Sequence, residues 1–238
     1  EILPQLTKPV LTYGFTADAD IQAVNLQHRE GKTHFQVLRN AEPWLDLTLN
    51  LPGKHNVLNA LAAITIAHEV GVSDAAIAKA LREFSGIGRR FQMQHLNTPK
   101  GEILLVDDYG HHPREVAAVL QAIRDGWQQR RLVVVFQPHR YSRTRDLFHD
   151  FVKVLSEADA LFILEVYAAG ESPITGADGV SLVAAIGQQG KVTPTFVPRP
   201  EQLAATLLPS LQDQDIVLLL GAGNIGALAT SLPALLAE

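Results

Sequence analysis

Between residues 102 and 238, short apolar runs alternate five times with segments in which apolar residues recur every three or four positions. Short apolar runs bounded by turn residues are typical of strands buried in a parallel sheet, and the periodic segments are typical of helices. The predicted strands are 103–106, 132–136, 160–165, 193–197 and 215–220, and the predicted helices lie near 114–125, 143–157, 180–187, 201–210 and 225–236. This alternation predicts a doubly wound α/β domain with a mainly parallel sheet.

Residues 1–53 have a different pattern, in which alternating or continuous apolar stretches are separated by turn residues. Strands are predicted at 10–15, 21–27, 33–38 and 44–51. The sequence Gly31-Lys32-Thr33 has the letters that end a phosphate loop, but that motif needs a glycine five positions earlier, where this chain has Leu26. A hairpin turn at 29–32 explains these residues better.

Two helices are predicted after these strands, one from His55 to about residue 70 and one over 74–84. In the second helix Ser73 is the predicted N-cap, and the predicted buried residues are Ile77, Leu81 and Phe84. Glycines at 86 and 88 then indicate a boundary or hinge, because glycine readily ends a helix. We therefore expect one domain over 1–88 and a second over 89–238.

Ionisable residues gather where two of the predicted strands end. Those that follow 103–106 are Asp107, Asp108, Tyr109, His111 and His112, and those that follow 132–136 are Arg140, Arg143 and Arg145. The carboxyl ends of strands in an open parallel sheet line one crevice, so the two groups are expected to meet there. This crevice is the candidate active site.

The arginine group is the stronger of these two signals. Guanidinium groups after a strand end, in a chain that is acidic overall, suggest an anionic ligand such as a carboxylate or a phosphate. The alternative is a surface helix start whose arginines pair with Asp146 and Asp150.

The carboxylates and imidazoles after the strand at 103–106 could bind a metal ion, but here they are consecutive on one loop, so no metal ligand is assigned. Arg89 and Arg90 at the hinge fit a surface pair and a phosphate contact equally well.

The first helix begins with His55, Asn56 and Asn59, whose spacing places them on one helical surface. A carboxamide can pair with the edge of an adenine ring, and a helix start favours phosphate oxygens. The alternative is local, with Asn56 as a cap and Asn59 as a buried partner of a backbone group.

Residues 221–226 read Gly-Ala-Gly-Asn-Ile-Gly, which is the dinucleotide-binding fingerprint by letter. That fingerprint belongs to the first strand of such a domain and needs an acidic residue about 20 positions later. This one follows the last predicted strand, and only residues 227–238 come after it. A tight turn with close helix packing is therefore favoured over a dinucleotide-dependent oxidoreductase.

Composition narrows the class of protein. The chain has 238 residues, a net charge of −5 and no cysteine, which together argue against nucleic acid as the main partner and against a disulfide scaffold or a thiolate metal site. No apolar run is long enough to span a membrane, and a cytoplasmic protein is expected. The chain begins with Glu1 and its one methionine is Met93, so we expect it to be part of a longer protein.

Five segments of the chain resemble the Mur ligase family, and they occur in order over almost its whole length. They are Leu-Pro-Gly-Lys-His-Asn-Val-Leu-Asn-Ala at 51–60, Gly-Arg-Arg-Phe at 88–91, Asp-Asp-Tyr-Gly-His-His-Pro at 107–113, Phe-Gln-Pro-His-Arg-Tyr-Ser-Arg-Thr-Arg-Asp at 136–146 and Gly-Ala-Gly-Asn-Ile-Gly at 221–226. The segments resemble most the members that join L-alanine to UDP-N-acetylmuramate. A related alternative is a murein tripeptide recycling ligase.

The resemblance implies a three-domain enzyme that uses ATP and Mg²⁺ to make an acyl phosphate of the muramate, which the alanine amine then attacks. This chain would hold the later part of the central ATPase domain and the Rossmann-like C-terminal domain. It would lack the UDP-binding domain, the phosphate loop and most magnesium ligands, so activity of this chain alone is not expected. The implied partners are UDP-N-acetylmuramate, L-alanine and ATP, with no nucleic acid and no membrane.

The resemblance also implies roles for individual residues. His55, Asn56 and Asn59 match the adenine side of the nucleotide site, and Arg90 and Asp108 match contacts to its phosphates and ribose. Tyr109, His111, Arg140 and Arg143 match the surroundings of the amino acid and the muramoyl carboxylate, and Arg90, Asp108 and His111 match positions with a part in catalysis. The remaining alternative is a non-catalytic module that captures an anion at Arg140 to Arg145.

Overall fold

The structure is a computed structural model that describes Gln5 and residues 7–237. Its chain divides into two compact units, the first formed by Glu1–Gly86 with Arg124–Trp127 and the second by Ile87–Ile123 with Gln128–Glu238. Each unit has its own apolar core. Within the described residues, no helix combines the length and the apolar character needed to cross a membrane.

The first unit is a four-stranded sheet covered by two helices. The strands are β1 (Tyr13–Gly14), β2 (Ile21–Arg29), β3 (Lys32–Arg39) and β4 (Glu42–Leu49), in the order β1-β2-β3-β4, and the helices are α1 (Lys54–Glu69) and α2 (Asp74–Glu83). The pairs β2–β3 and β3–β4 are antiparallel, whereas β1 runs parallel to β2. The predicted hairpin at 29–32 is confirmed, because Arg29 pairs with Lys32 across the turn.

The helices of the first unit follow their predicted ranges closely. The Ser73 side chain accepts a hydrogen bond from the Ala76 N–H, which confirms it as the N-cap of α2. Ile77 is buried and Leu81 packs partly buried against the same core. Phe84 lies just after the helix and is 39% exposed, so its predicted burial was wrong.

The second unit is a six-stranded, mostly parallel sheet flanked by helices, which confirms the predicted fold class. Its elements are β5 (Gln92–Thr98), β6 (Gly101–Asp108), α3 (Pro113–Gly126), β7 (Leu132–Phe136), α4 (Tyr141–Asp146), α5 (Phe148–Leu155), β8 (Ala160–Leu164), α6 (Gly179–Gln189), β9 (Pro194–Val197), α7 (Leu203–Leu207), β10 (Ile216–Leu220) and α8 (Ile225–Leu236). The last residues of α3, from Arg124 onward, are assigned to the first unit. The strand order is β5-β6-β10-β7-β8-β9, and only β5 is antiparallel to its neighbour.

Three predictions for this unit were wrong or incomplete. β5 was missed, because it is an edge strand whose residues are mostly polar and exposed, so it has no apolar alternation. The helix predicted at 143–157 is two helices, which meet at Leu147 with φ −114° and ψ 20°. The segment 201–210 contains only the short α7, flanked by 3₁₀ turns at Pro200–Gln202 and Leu208–Ser210.

The most consequential difference is the position of β10. It lies between β6 and β7, and all five of its residues are buried. Leu220 at its end is level with Asp108 of β6 on one side and with Phe136 of β7 on the other. The two polar groups therefore emerge two strand spacings apart, about 10 Å, with the glycine-rich loop at 221–226 between them.

Candidate active site at the carboxyl edge of the second sheet

Asp108 fastens the loop that follows β6. Its side chain is buried, and its two carboxylate oxygens accept hydrogen bonds from the backbone N–H of Phe91, at 2.9 Å, and of Gly110, at 2.7 Å. Hydrogen bonds to a charged acceptor are about twice as strong as neutral ones. The first structural task of Asp108 is therefore to hold the segment around Phe91 against the end of β6.

Arg89 connects the ends of two strands. Its guanidinium donates to the backbone oxygen of Gly221, and its Nε lies 3.6 Å from Oδ2 of the buried Asp107. Burial raises the pKa of Asp107, and the Arg89 charge offsets only part of that rise. Arg89 is thus the partly buried member of the arginine pair, whereas Arg90 is exposed.

Both arginines lie over the ring of Tyr109. The Cζ atoms of Arg89 and Arg90 are 5.0 and 5.4 Å from the ring centroid, within cation–π range. The backbone N–H of Tyr109 also donates to the Arg89 carbonyl, at 2.8 Å. The hinge segment and the loop after β6 therefore form one cationic surface.

Two histidines bring the polar strand ends together, as the sequence predicted. The ring centroids of His111, after β6, and His139, after β7, are 6.0 Å apart. His111 also contacts the Tyr109 ring edge to face at 5.3 Å. On its other side, His139 stacks on Tyr167, with centroids 5.5 Å apart and an interplanar angle of 17°.

The arginines after β7 divide into two kinds. Arg143 donates from Nη1 to both Nδ1 and the carbonyl oxygen of His139, each at 3.2 Å. Arg140 has φ 72°, donates its backbone N–H to the Tyr167 carbonyl and keeps an exposed side chain. Arg145 instead pairs with Asp146 at 2.8 Å on the surface, as the alternative interpretation expected for it.

Arginines around His139 change its acid–base behaviour. Burial lowers the pKa of His139, and the charges of Arg143, His111 and Arg140 lower it further, opposed by Glu171. Glu171 itself accepts hydrogen bonds from the Ser142 N–H, at 2.9 Å, and from the Ser142 hydroxyl, at 2.6 Å. It thereby satisfies a free N–H at the start of α4.

Glu115 caps the start of α3 and supports the histidine loop. One of its carboxylate oxygens accepts from the backbone N–H groups of His111, at 2.9 Å, and His112, at 3.1 Å. Burial alone would raise the pKa of Glu115, but these two hydrogen bonds and the nearby charges of His111 and Arg90 leave it below its ordinary value. Folding therefore favours the ionised form of the Glu115 carboxylate over the protonated form.

Replacing Glu115 with glutamine should lower the unfolding free energy by about 1 kcal/mol at pH 7, as for the loss of a helix cap. The pKa of Glu115 is lower in the folded chain than in the unfolded one. The stabilisation that its carboxylate provides is therefore present above the ordinary glutamate pKa and is lost as the pH falls through the folded pKa. Urea denaturation of the wild type and of Glu115→Gln, repeated from neutral to acidic pH, should show the difference in unfolding free energy becoming smaller as the pH falls. A difference that stays constant with pH would contradict the assignment.

The glycine-rich loop after β10 is packed against protein. An added Cβ at Gly221 would lie 2.7 Å from the Gln137 carbonyl oxygen, and one at Gly223 would lie 2.7 Å from Cβ of Tyr167. At Gly226 it would collide with the guanidinium of Arg89. These glycines therefore serve close packing, as favoured from the sequence.

Gly226→Ala should lower the unfolding free energy by about 1–3 kcal/mol, the range for overpacking, because Arg89 must leave Asp107 and Gly221. The matched control is Gly187→Ala in α6, an exposed position where the new Cβ meets Pro194 only at 3.8 Å. That control should be neutral or stabilise the chain by about 0.5–1 kcal/mol. Chemical denaturation checks both, and equal effects would contradict the packing assigned to Gly226.

Comparison with known proteins now places these residues in a family. Two family models match the chain: the Mur ligase, glutamate ligase domain over residues 89–223 and the Mur ligase middle domain over residues 2–67. The chain belongs to the Mur ligase family.

Solved structures agree with this membership. The crystal structure of UDP-N-acetylmuramate-alanine ligase MurC from Thermotoga maritima is 29% identical, with a TM-score of 0.78 over 93% of this chain and 46% of that one. A murein peptide ligase from Psychrobacter arcticus is 21% identical, with a TM-score of 0.60 over 95% and 46% of the two chains. MurF ligase from Thermotoga maritima in complex with ADP is 15% identical, with a TM-score of 0.65 over 93% and 47%. The Mur ligase chain described here thus spans about half the length of these relatives.

The three residues of the first unit that were predicted to bind nucleotide differ in burial, and one of them is hydrogen-bonded to the backbone. The Asn56 side-chain N–H₂ donates to the Pro52 carbonyl at 2.8 Å, while Gly53 is the N-cap of α1. Asn56 is therefore not the cap that the local alternative proposed. Asn59 is exposed, so the idea that it is a buried backbone partner was also wrong, and His55 is half-buried.

Several residues of this candidate site were missed from the sequence. Gln137 accepts from the Ile225 N–H at 3.0 Å and donates to Asn224 Oδ1 at 2.6 Å, so it ties β7 to the glycine-rich loop. Tyr167 follows β8, and applying the strand-end rule to that third strand would have found it. The role of Arg89 depends on β10 lying beside β6, which no local pattern indicates.

The described part of the chain contains no group of three or more His, Asp or Glu residues arranged to hold a metal ion. These described residues therefore do not form a magnesium site of their own. They do fit anionic groups, because arginines and the backbone N–H groups of the loops gather at this edge of the sheet.

Proposed function

We propose that this chain is part of an ATP-dependent ligase that joins L-alanine to UDP-N-acetylmuramate in the synthesis of peptidoglycan precursors. The observation that carries the proposal is the arrangement of His111 and His139 6.0 Å apart, flanked by Arg140 and Arg143, at the carboxyl edge of the sheet. The 29% identity to a UDP-N-acetylmuramate-alanine ligase supports the choice of amino acid and sugar. The fold likeness to a MurF in complex with ADP supports a nucleotide in the reaction.

The proposed reaction has two steps, and each makes a demand on the protein. ATP first phosphorylates the muramoyl carboxylate, which needs cationic groups around the transferred phosphoryl group. The amine of alanine then attacks the acyl phosphate, and the tetrahedral intermediate collapses to the amide and phosphate. Two carboxylates must therefore be held while negative charge moves between oxygens, a task for fixed hydrogen-bond donors and guanidinium groups.

We assign the roles within this site as follows. Arg90 and Asp108 serve the nucleotide, Arg90 at its phosphates and Asp108 at its ribose, while the hydrogen bonds of Asp108 to the Phe91 and Gly110 N–H groups keep its loop in place. The amino acid and the muramoyl carboxylate are bound by Tyr109, His111, Arg140 and Arg143. In the first unit, His55, Asn56 and Asn59 serve the adenine. Magnesium would be held mainly by residues outside this chain.

The domain assignment belongs to the same proposal. Residues 1–88 would form the later part of the central ATPase domain, and residues 89–238 would form the C-terminal domain. The remaining part of a longer protein, acting in the cytoplasm, would contribute the UDP-binding domain and the phosphate loop.

The proposal is tested by assaying the longer protein with ATP, UDP-N-acetylmuramate and single amino acids. ADP release should require both the sugar nucleotide and L-alanine, and mass spectrometry should detect UDP-N-acetylmuramoyl-L-alanine. Preference for a free tripeptide over L-alanine would replace the proposal with the recycling ligase. If none of these substrates gives ADP, although anions still bind this chain, the capture of an anion by a non-catalytic module would be the better account.

A further inference from the structure

The two facing histidines each have Nδ1 bonded to a group whose hydrogen-bonding role cannot change. His111 Nδ1 lies 3.0 Å from the Tyr109 carbonyl oxygen, and His139 Nδ1 lies 3.2 Å from Arg143 Nη1. A carbonyl oxygen only accepts hydrogen bonds, and a guanidinium only donates them. These partners therefore decide which ring nitrogen carries the proton in each neutral imidazole.

In His111 the proton is on Nδ1. Because the Tyr109 carbonyl can only accept, Nδ1 must donate, and the Glu115 carboxylate 3.4 Å away supports a proton there. The lone pair of the neutral ring is then on Nε2. This arrangement, with one nitrogen anchored as donor and the other left basic, is the one that a general base requires.

In His139 the assignment is reversed. Arg143 donates to Nδ1, so the only lone pair of the neutral ring is already used and the proton is on Nε2. The charges that face this ring are those of Arg143, His111, Arg140 and Glu171, and together with burial they lower its pKa. His139 is consequently a neutral hydrogen-bond donor and a poor base.

Both Nε2 atoms are available to a ligand. Neither makes a hydrogen bond to any residue that the structure describes, and both histidines are only half-buried. An α-amino acid carries its ammonium and carboxylate groups on one carbon atom, so a single molecule can reach both of two rings 6.0 Å apart.

We propose that His111 Nε2 accepts the proton of the incoming amino acid's ammonium group, while His139 Nε2–H donates a hydrogen bond to its carboxylate. In this step an N–H bond of the ammonium breaks, its electron pair stays on the amino nitrogen, and the proton bonds to Nε2 of His111. The amine then forms the C–N bond with the acyl phosphate, whose C–O bond breaks with its electron pair leaving on phosphate, and the departing phosphate takes the second proton that the new amide nitrogen loses. The inference rests on the proposed function, which supplies the acyl phosphate.

The first test uses this chain itself and requires no catalysis. Nitrogen-15 NMR of the histidine rings, well above the ordinary histidine pKa of about 6.5, should find the proton on Nδ1 for His111 and on Nε2 for His139. His111→Gln and His139→Gln assign the resonances, and His149→Gln is the control from the exposed face of α5. A proton on Nε2 of His111, or on Nδ1 of His139, would overturn the proposal.

The second test separates proton removal from activation of the carboxylate in the longer protein. Hydroxylamine is already mostly unprotonated at neutral pH, so it can trap the acyl phosphate as a hydroxamate without a base. His111→Gln should slow amide formation with L-alanine by about 100-fold or more, the lower range for general base catalysis. Hydroxamate formation by the same variant should fall far less than amide formation, and raising the pH should restore part of the amide rate.

The outcomes distinguish the two levels of the account. If the wild-type protein with ATP and the sugar nucleotide forms no hydroxamate, the proposed function fails. If the wild type forms it but His111→Gln loses both reactions equally, only the base assignment fails. For His139, glutamine keeps an N–H near the position of Nε2, so His139→Gln should raise the KM for alanine less than His139→Asn, and the reverse order would overturn its donor role.

Discussion

Replacing Arg140 with alanine should raise the KM for L-alanine or UDP-N-acetylmuramate by about 100-fold and change the KM for ATP far less. The side chain of Arg140 is exposed, and its charge helps to lower the pKa of Glu171 without an ion pair between them in the part of the chain that the structure describes. Its charge is thus available to a ligand, and losing a hydrogen bond between charged groups costs about 1.5–3 kcal/mol. Steady-state kinetics of the longer protein, with each substrate varied in turn, measures this effect.

The matched control for that variant is Arg145→Ala. Arg145 lies in α4, whose N-cap residue is Arg140, but it is exposed and pairs with the adjacent Asp146. An exposed ion pair contributes about 0–1 kcal/mol, so this variant should keep all three Michaelis constants near their wild-type values. An effect of Arg140→Ala confined to ATP, or an equal effect of both variants, would contradict the assignment.

Asp108→Ala should lower the unfolding free energy by about 3 kcal/mol or more. The change removes two charge-assisted hydrogen bonds and leaves the N–H groups of Phe91 and Gly110 without their acceptor at a buried position. The loop that carries Tyr109 and His111 would then lose its attachment to the end of β6. We expect this variant to be less stable and, in the longer protein, to lose activity with every substrate.

Asp213→Ala is the control for the stability effect. The Asp213 side chain also accepts from a backbone N–H, that of Glu102 at 2.8 Å, but it does so at an exposed position. Its loss should cost about 1 kcal/mol or less, because water can replace the carboxylate. Urea denaturation followed by circular dichroism compares the two. Similar losses would mean that Asp108 does not fasten the loop.

The sequence predicted those parts of the fold that local patterns specify. β7 and β10 are continuous apolar runs, and such runs form strands that are buried on both faces. The hairpin before β3 was predictable because Gly31, with φ 76°, readily adopts the backbone that a tight turn needs. β5 was missed because it forms a strand only by pairing with β6, and its own sequence lacks the apolar alternation from which a strand is predicted.

The candidate site was predictable to a similar degree. The rule that strand ends share a crevice placed the polar residues after β6 near those after β7, although these two strands are not neighbours. His139, whose ring lies 6.0 Å from that of His111, was not among the predicted site residues. The position of β10 between β6 and β7 was not predictable, because strand order depends on which strands pair, and the periodicity of a sequence does not indicate its pairing partners. The contacts of Arg89 with Asp107 and Gly221 follow from that insertion, so they too came only from the structure.

Asp108 shows a further limit of reading residues by motif. The resemblance to the Mur ligases assigned it to the nucleotide, while the structure shows its two oxygens bonded to the backbone. The hydrogen bond from the Phe91 N–H joins residues that are 17 positions apart in the sequence. Phe91 has a φ of 54°, a backbone conformation that its sequence does not indicate. A structural role and a ligand-binding role are compatible here, because a carboxylate offers about four acceptor sites.

The central claim is that the loops after β6 and β7 hold the incoming amino acid. The most direct measurement is a crystal structure of the longer protein with UDP-N-acetylmuramoyl-L-alanine bound. The account predicts the alanine carboxylate within hydrogen-bonding distance of Arg140 or Arg143, and the new amide nitrogen on the side of His111. An alanine carboxylate bound away from both arginines, with His111 and His139 facing only solvent, would contradict it.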